Sequence, residues 1–313
     1  MKERRQNEGN VQRRSDQHSR QNNNSRQGQN RRHDNNKNSD ISEVKFKSSN
    51  MNYIFNVEYF DYTNDQQVRE ANRQICMYEY PVIEMFEELK NEKEYESFAL
   101  YTTYPGLLMG SGNLHDISCK GAYKLGFSFD YVNGLPYLPG ASLKGMLRSV
   151  FPGQHKEDKE EYSDYLIGLM DEIGIDHIQL EDLEKLEEEI FDFQDIFLGA
   201  YPDPEQKDSR KYLASEYITP HKPLKNPNPI SFLKVKPGIR FCFYFLIKDG
   251  KILSAQEKIS LFKKLIVEFG VGAKTNVGFG KFVESKPKET IKPDKYEDTS
   301  SGRFNRPNGQ YNG

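Results

Sequence analysis

"SAQEKISLFKKLIVEFGVGAKTNVGFGKFVE", residues 254–284, sets a helix, a glycine-rich loop and a strand in that order. Ser254 and Glu257 have the spacing of a capping box, in which two side chains reciprocally bond amides left free at a helix start. Phe262, Leu265, Ile266 and Phe269 share one helical face, and Gly270 supplies the residue at which such a helix stops. The loop that follows, "GVGAKTNVGFGKF" (270–282), invites a phosphate-binding reading, and two nucleotide versions of it fail. A P-loop ending on Lys274-Thr275 needs glycine at 268 and 273, which are Glu268 and Ala273; a dinucleotide fingerprint from Gly270 needs glycine at 275, which is Thr275. Chain order disagrees as well, because both motifs aim the positive end of a following helix at phosphate, whereas here the helix precedes the loop. What survives is a loop in which Gly270, Gly272, Gly278 and Gly280 permit unusual dihedrals. Its amides, with Lys274, Thr275 and Asn276, are candidates to follow an extended phosphate backbone; a structural turn with an exposed lysine is the other reading.

Working upstream, "ISFLKVKPGIRFCFYFLIKDG" (230–250) reads as two strands paired in a hairpin turned at Lys236-Pro237-Gly238, preceded by a further segment, "YLASEYITPH". "SLKGMLRSVFPG" predicts a helix capped by Ser142, with Leu143, Met146, Leu147 and Val150 on one face and Pro152-Gly153 ending it. "GAYKLGFSFDYVNGLPYLPG" (121–140) reads as strand, Asn-Gly turn and short strand. Residues 65–100 have helical periodicity broken at Pro81, and "NYIFNVEYF" (52–60) reads as a strand or extended arm. The order strand, helix, strands, helix, strand makes this an α+β chain with a ferredoxin-like (RRM-like) β-α-β-β-α-β core.

The chain has 313 residues, 35% of them hydrophobic, and a mean hydropathy of −0.84. Apolar residues are concentrated in 51–285, which gives three parts: a polar Arg/Asn-rich tail over 1–50, a folded domain over 51–285, and a second polar tail over 286–313. Tails of that composition cannot offset the entropy of ordering, so both are expected to be disordered. Residues 1–40 carry ten Lys/Arg against five Asp/Glu, and residues 156–192 hold fifteen acids against three lysines. The overall charge of −3 therefore hides a mildly basic body beside an acidic helical insertion. Cys76, Cys119 and Cys242 lie far apart without CxxC spacing, which argues against a disulfide framework or a zinc site. No apolar run reaches a membrane span and no secretory signal is evident, so the expected location is the cytoplasm, without membrane contact.

Three segments in sequence then point to a family. "PYLPGASLKGMLRSVF" (136–151) resembles the P-x-I-P-G-S-S-L-K-G-x-L-R motif of RAMP proteins, the repeat-associated RNA-binding family of CRISPR–Cas systems. "GVGAKTNVGFGKF" resembles that family's C-terminal glycine-rich loop, and "LLMGSGNLHDISCKGAYKL" (107–125) is similar to its first-strand glycine and His region. "YITPHKPLKNPNPISFLKVKPG" (217–238) is similar to one branch, the sixth RAMP subunit of the type III-B (Cmr) effector complex. The chain departs from the pattern at Ala141, where the family has Ser, at Glu216, where Asp is common, and after His221, where an aromatic is usual.

The resemblance implies a non-catalytic subunit that binds CRISPR RNA (crRNA) and caps the head of a filament, on the guide's 3′ side, in an antiviral complex that recognises target RNA by base pairing. The implied partners are crRNA, target RNA, the backbone RAMP subunit, the other head RAMP subunit and the small helical subunit; no cofactor or metal is implied. The RNA-binding residues it singles out are His115, Ser142, Lys144, Arg148, His221, Gly270, Gly272, Lys274, Thr275, Asn276, Gly278, Gly280 and Lys281. Lys144 and Arg148, at i and i+4, would join Lys274 and Lys281 in one basic strip. An alternative keeps chemistry in this chain: a RAMP endoribonuclease acting on target RNA or in crRNA processing, with Asp116 and His115 as an acid–base pair on a 2′-hydroxyl.

Overall fold

A computed structural model describes residues 44–110, 115, 117–154, 158–206, 209–218 and 229–287. Asp116, His221 and the two expected tails beyond these limits lie outside the described residues. The body begins upstream of the expected start at 51. Val44 is buried in the core, and the amides of Lys47 and Ser48 donate to the two carboxylate oxygens of buried Glu58.

Two helices open the fold, α1 (Met51–Asn56) and α2 (Asp65–Met77). The first corrects the strand expected at 52–60. Asn50 caps it by accepting from the Tyr53 amide, and Met51, Ile54 and Phe55 bury at helical spacing, so capping and an apolar stripe outweigh strand propensity. The helical reading of 65–100 holds only to Met77. Beyond Pro81 the chain enters β1 (Tyr95–Thr102), whose Leu100 and Thr102 point into the core.

Next come β2 (Leu138–Pro139) and α3 (Gly140–Arg148). The Asn133-Gly134 turn is present, closed by the Asp130 amide on Leu135 O at 2.8 Å, but only a single bridge, Phe129 to Pro136, pairs its arms. Ser142 does not cap α3. The helix starts directly at the end of β2, with Pro139 in the cap position and Ser142 exposed inside the first turn. The acidic stretch forms α4 (Lys159–Asp171) and α5 (Leu183–Glu188), the latter running into a π-helical turn, Glu189–Gln194.

The remaining elements are β3 (Ile196–Pro202), β4 (Leu213–Ile218), β5 (Ile230–Val235), β6 (Arg240–Leu246), α6 (Ala255–Phe269) and β7 (Phe282–Val283). Among the described residues they build a five-stranded antiparallel sheet ordered β2-β3-β6-β1-β7 and a two-stranded sheet β4-β5. The hairpin expected at 230–250 is therefore absent. Both strands exist, but β5 pairs with β4 and β6 lies between β3 and β1. Thr102 enforces the split: it donates from Oγ1 to Lys236 O at 2.8 Å and accepts there from the Ile239 amide at 3.0 Å, while its carbonyl accepts from the Gly238 amide at 2.7 Å. The polar groups of the turn are thus satisfied by β1, and neither strand needs the other.

Phe241, Phe243 and Phe245 of β6 are buried on the face that receives α6, where Phe245 meets Phe262 at 5.6 Å between ring centres. The capping box of Ser254 and Glu257 and the stop at Gly270 are as read from the sequence. Lys258 of α6 is fully buried, with its ammonium 3.0 Å from Asp195 Oδ2 and 3.0 Å from Lys248 O. Among the described residues no helix is long and apolar enough to cross a membrane.

Candidate nucleic-acid interface

The glycine-rich loop joins the C-terminus of α6 to β7 and is held from three sides. The Val271 amide donates to Gly280 O and closes the loop on itself, at 2.9 Å. The Ala273 amide donates to Leu108 O at 2.8 Å, and the Gly280 amide to Gly106 O at 2.9 Å, which fastens it to the segment after β1. Phe279 packs into a small cluster with Leu108 and Phe232, tying the loop to the two-stranded sheet.

Gly272 and Gly280 stand where a side chain would be blocked. Gly272 has φ +100° and a side-chain carbon there would lie 2.6 Å from Leu108 O; Gly280 has φ +70° and would collide with Val271 O. The amides of residues 270, 271, 273, 277, 278 and 280 are consumed by backbone carbonyls. These six are thus engaged within the fold, whereas the sequence reading offered the amides of the loop at large to a phosphate chain. The outward part is the tip: Lys274, itself left-handed at φ +61°, then the short turn Thr275–Val277 with Asn276 and Val277 exposed. Lys274 forms no ion pair among the described residues.

The other expected cations are spoken for. Lys281 turns back to donate to Glu268 O at 2.6 Å, where a cation offsets the negative end of α6. Lys144 lies over the Phe197 ring at 5.8 Å. Arg148 donates from both terminal nitrogens to Asp192, at 2.7 and 3.2 Å, and from Nε to Glu187 at 3.0 Å, and these carboxylates raise its pKa. Around the loop, a cleft of about 320 Å³ is lined by Met146, Ser149 and Val150 of the α3 end with Gly270, Gly272 and Thr275. The helix and the loop are therefore neighbours, but α3 meets the loop with this edge and turns Lys144 and Arg148 toward Phe197 and the acidic segment. The single basic strip expected from the sequence is not formed.

His115 is buried, its ring 4.2 Å from Phe55 and 4.9 Å from Phe60 between centres. Neither ring nitrogen has a partner among the described residues, and burial pushes its pKa down to about 4. It is a neutral member of an aromatic nest rather than a surface contact.

Sequence reasoning singled out 107–125 by resemblance but missed the turn just before it, 103–106, and the contact of both with the loop. Gly106 and Leu108 supply the carbonyls that hold it, and Tyr104, just before them, is 75% exposed. The run "TTYPGLLMG" carried that signal, since a bulky aromatic beside Pro and Gly marks a surface turn.

A model of the RAMP superfamily matches residues 99–283, which span β1 to β7. Among solved structures, a chain of the Type III-B Cmr-beta complex bound to cognate target RNA is similar at 22% identity and a TM-score of 0.47, over 69% of this chain and 73% of that one. Cmr6 from Pyrococcus furiosus is similar at 20% identity and a TM-score of 0.41, over 61% of this chain and 98% of that one. No curated protein matches the chain.

Proposed function

We propose, from the premise that this chain belongs to the RAMP superfamily, that it is a guide-RNA-binding subunit of a type III-B (Cmr) CRISPR effector complex. The observation that carries the reading is the clamped loop. Its base is fixed by hydrogen bonds to residues 106 and 108, while its tip offers a threonine, an asparagine and a lysine without an ion pair among the described residues. A rigid cationic tip suits a phosphate backbone, because the ordering cost is met before the RNA arrives.

The strand and helix order supports a ferredoxin-like core. β1, α3, β3, β6, α6 and β7 follow one another as β-α-β-β-α-β, and their strands lie antiparallel as neighbours β3-β6-β1-β7. In this reading α1, α2, β2, the acidic helices and the β4-β5 sheet are additions to the core, and the polar tails flank it. The finer assignment is the non-catalytic head cap on the guide's 3′ side, touching the backbone RAMP subunit, the other head RAMP subunit and the small helical subunit. It rests on the resemblance of residues 217–238 to that branch. Non-catalysis is supported by His115: a buried neutral ring is a poor partner for Asp116 in acid–base work on RNA, so the endoribonuclease alternative loses half its pair.

The test is a reconstituted complex carrying Lys274→Glu in this subunit. Guide RNA retention should fall while the other subunits still assemble; unchanged retention overturns the reading. In the same complex Asp116→Asn should leave every target cut intact, and loss of a cut assigns the chemistry to this chain.

A further inference from the structure

We propose that Tyr104 is a stacking platform for one unpaired nucleobase, a site that rests on reading the glycine-rich loop as the RNA interface. Tyr104 is 75% exposed, and among the described residues no other aromatic ring lies against it. Its backbone nonetheless is held firmly. The Thr103 amide donates to Lys281 O at 3.0 Å, and the Gly106 carbonyl accepts from the Gly280 amide at 2.9 Å. Leu107 and Val235 exchange amide hydrogen bonds at 3.0 and 2.8 Å just beyond. Pro105 lies against the loop, its Cδ 3.4 Å from where a side chain on Gly278 would begin. The ring therefore stands on backbone tied to the same loop that carries Lys274.

An exposed ring on fixed backbone, beside a cationic tip, is the arrangement that single-stranded nucleic acid recognises. Phosphates follow the charge, and a base of any identity covers the ring, because every base has a π face. Tyr131 is more exposed, at 85%, but its turn is held by Asn50 rather than by the loop, so no cation of the interface accompanies it.

The chain contains no tryptophan, so Tyr104→Trp places a single indole in the full-length protein. Indole emission and the anisotropy of fluorescein-labelled oligouridylate are titrated together, with a matched strand lacking its bases and an RNA duplex as comparisons. Tyr104→Trp and Tyr104→Phe should bind the single strand as well as the parent protein does, with indole emission changed on binding. Tyr104→Ala should bind it about 5- to 100-fold more weakly, with an unaltered salt slope, because no phosphate contact is lost. The baseless strand and the duplex should show no difference between the parent and Tyr104→Ala. If Tyr104→Ala binds the single strand like the parent while Lys274→Glu weakens it, the platform is overturned and the loop reading stands. Indole emission unmoved by RNA that binds also overturns it. Should the parent show no salt-dependent RNA binding at all, the loop reading falls, and the platform with it.

Discussion

Arg148 on α3 is bidentate to Asp192 on the π-helical turn, with nitrogen–oxygen distances of 2.7 and 3.2 Å. Its third bond, from Nε, reaches Glu187, which is buried and also accepts from Gln154 Nε2 at 2.7 Å. The pair with Asp192 is open to water and screened, so Asp192→Asn should cost no more than about 1 kcal/mol. Arg148→Ala should cost more, about 1–3 kcal/mol, because it strips a charged partner from buried Glu187. Urea midpoints of the two variants check the order. The same clasp predicts that Arg148→Ala lowers RNA affinity less than Lys274→Glu does, the reverse of what a shared basic strip requires.

The loop geometry gives a second prediction. Gly272→Ala introduces a side chain at φ +100° and 2.6 Å from Leu108 O, so the Ala273 to Leu108 hydrogen bond must open. A loss of about 1–3 kcal/mol in stability is expected, together with weaker RNA binding. Gly145→Ala is the contrast, since Gly145 is exposed in α3 with open space around it, and the change should be neutral or slightly stabilising. Amide exchange at Ala273 separates them: it should accelerate in the first variant only.

His115 supplies a pH dependence whose sign follows from burial. Its folded-state pKa of about 4 lies below the ordinary histidine value of about 6.5. Above the higher value the ring is neutral in both states. Between about 6.5 and 4 the unfolded chain binds a proton that the folded one refuses, so stability falls as pH falls, by at most about 3 kcal/mol. Below about 4 both states are protonated and no further loss accrues from this residue. His115→Leu should flatten the fall in urea midpoint between pH 7.5 and 4.5; an identical slope in parent and variant would contradict the neutral aromatic nest.

Much of this architecture was legible because its signals are local. The capping box, the apolar face of α6 and the stop at Gly270 each involve residues within one helix, and all appear as read. The same holds for the exclusion of nucleotide motifs, which needed only Glu268, Ala273 and Thr275. The misreadings have long-range causes. Residues 52–60 look like a strand until Asn50 is seen capping α1, and the hairpin at 230–250 looks certain until Thr102, distant in sequence, is seen taking its turn. The ion pairs of Arg148 were hidden for the same reason. Spacing placed it correctly on the exposed side of α3, but nothing local announced that Glu187 and Asp192 would fold back over it.

The buried lysine of α6 tests the core. Lys258 and Asp195 both have side chains with no exposure, and burial raises the Asp195 pKa despite the nearby ammonium. Lys258→Ala should destabilise by about 3–5 kcal/mol, since it leaves a carboxylate buried without its charge partner. The double variant Lys258→Met with Asp195→Leu should recover a large part of that loss. Thermal melts of the three proteins decide it.

The central claim is that the tip of the loop, from Lys274 to Val277, meets the RNA backbone. The most direct measurement is photo-crosslinking of the full-length protein to a single-stranded RNA bearing 4-thiouridine, followed by mass-spectrometric mapping of the linked peptides. The account predicts links within 270–281 and in the adjoining 103–108 segment, lost at high salt and diminished by Lys274→Glu. Links confined to other surfaces, unaffected by that substitution, would contradict it.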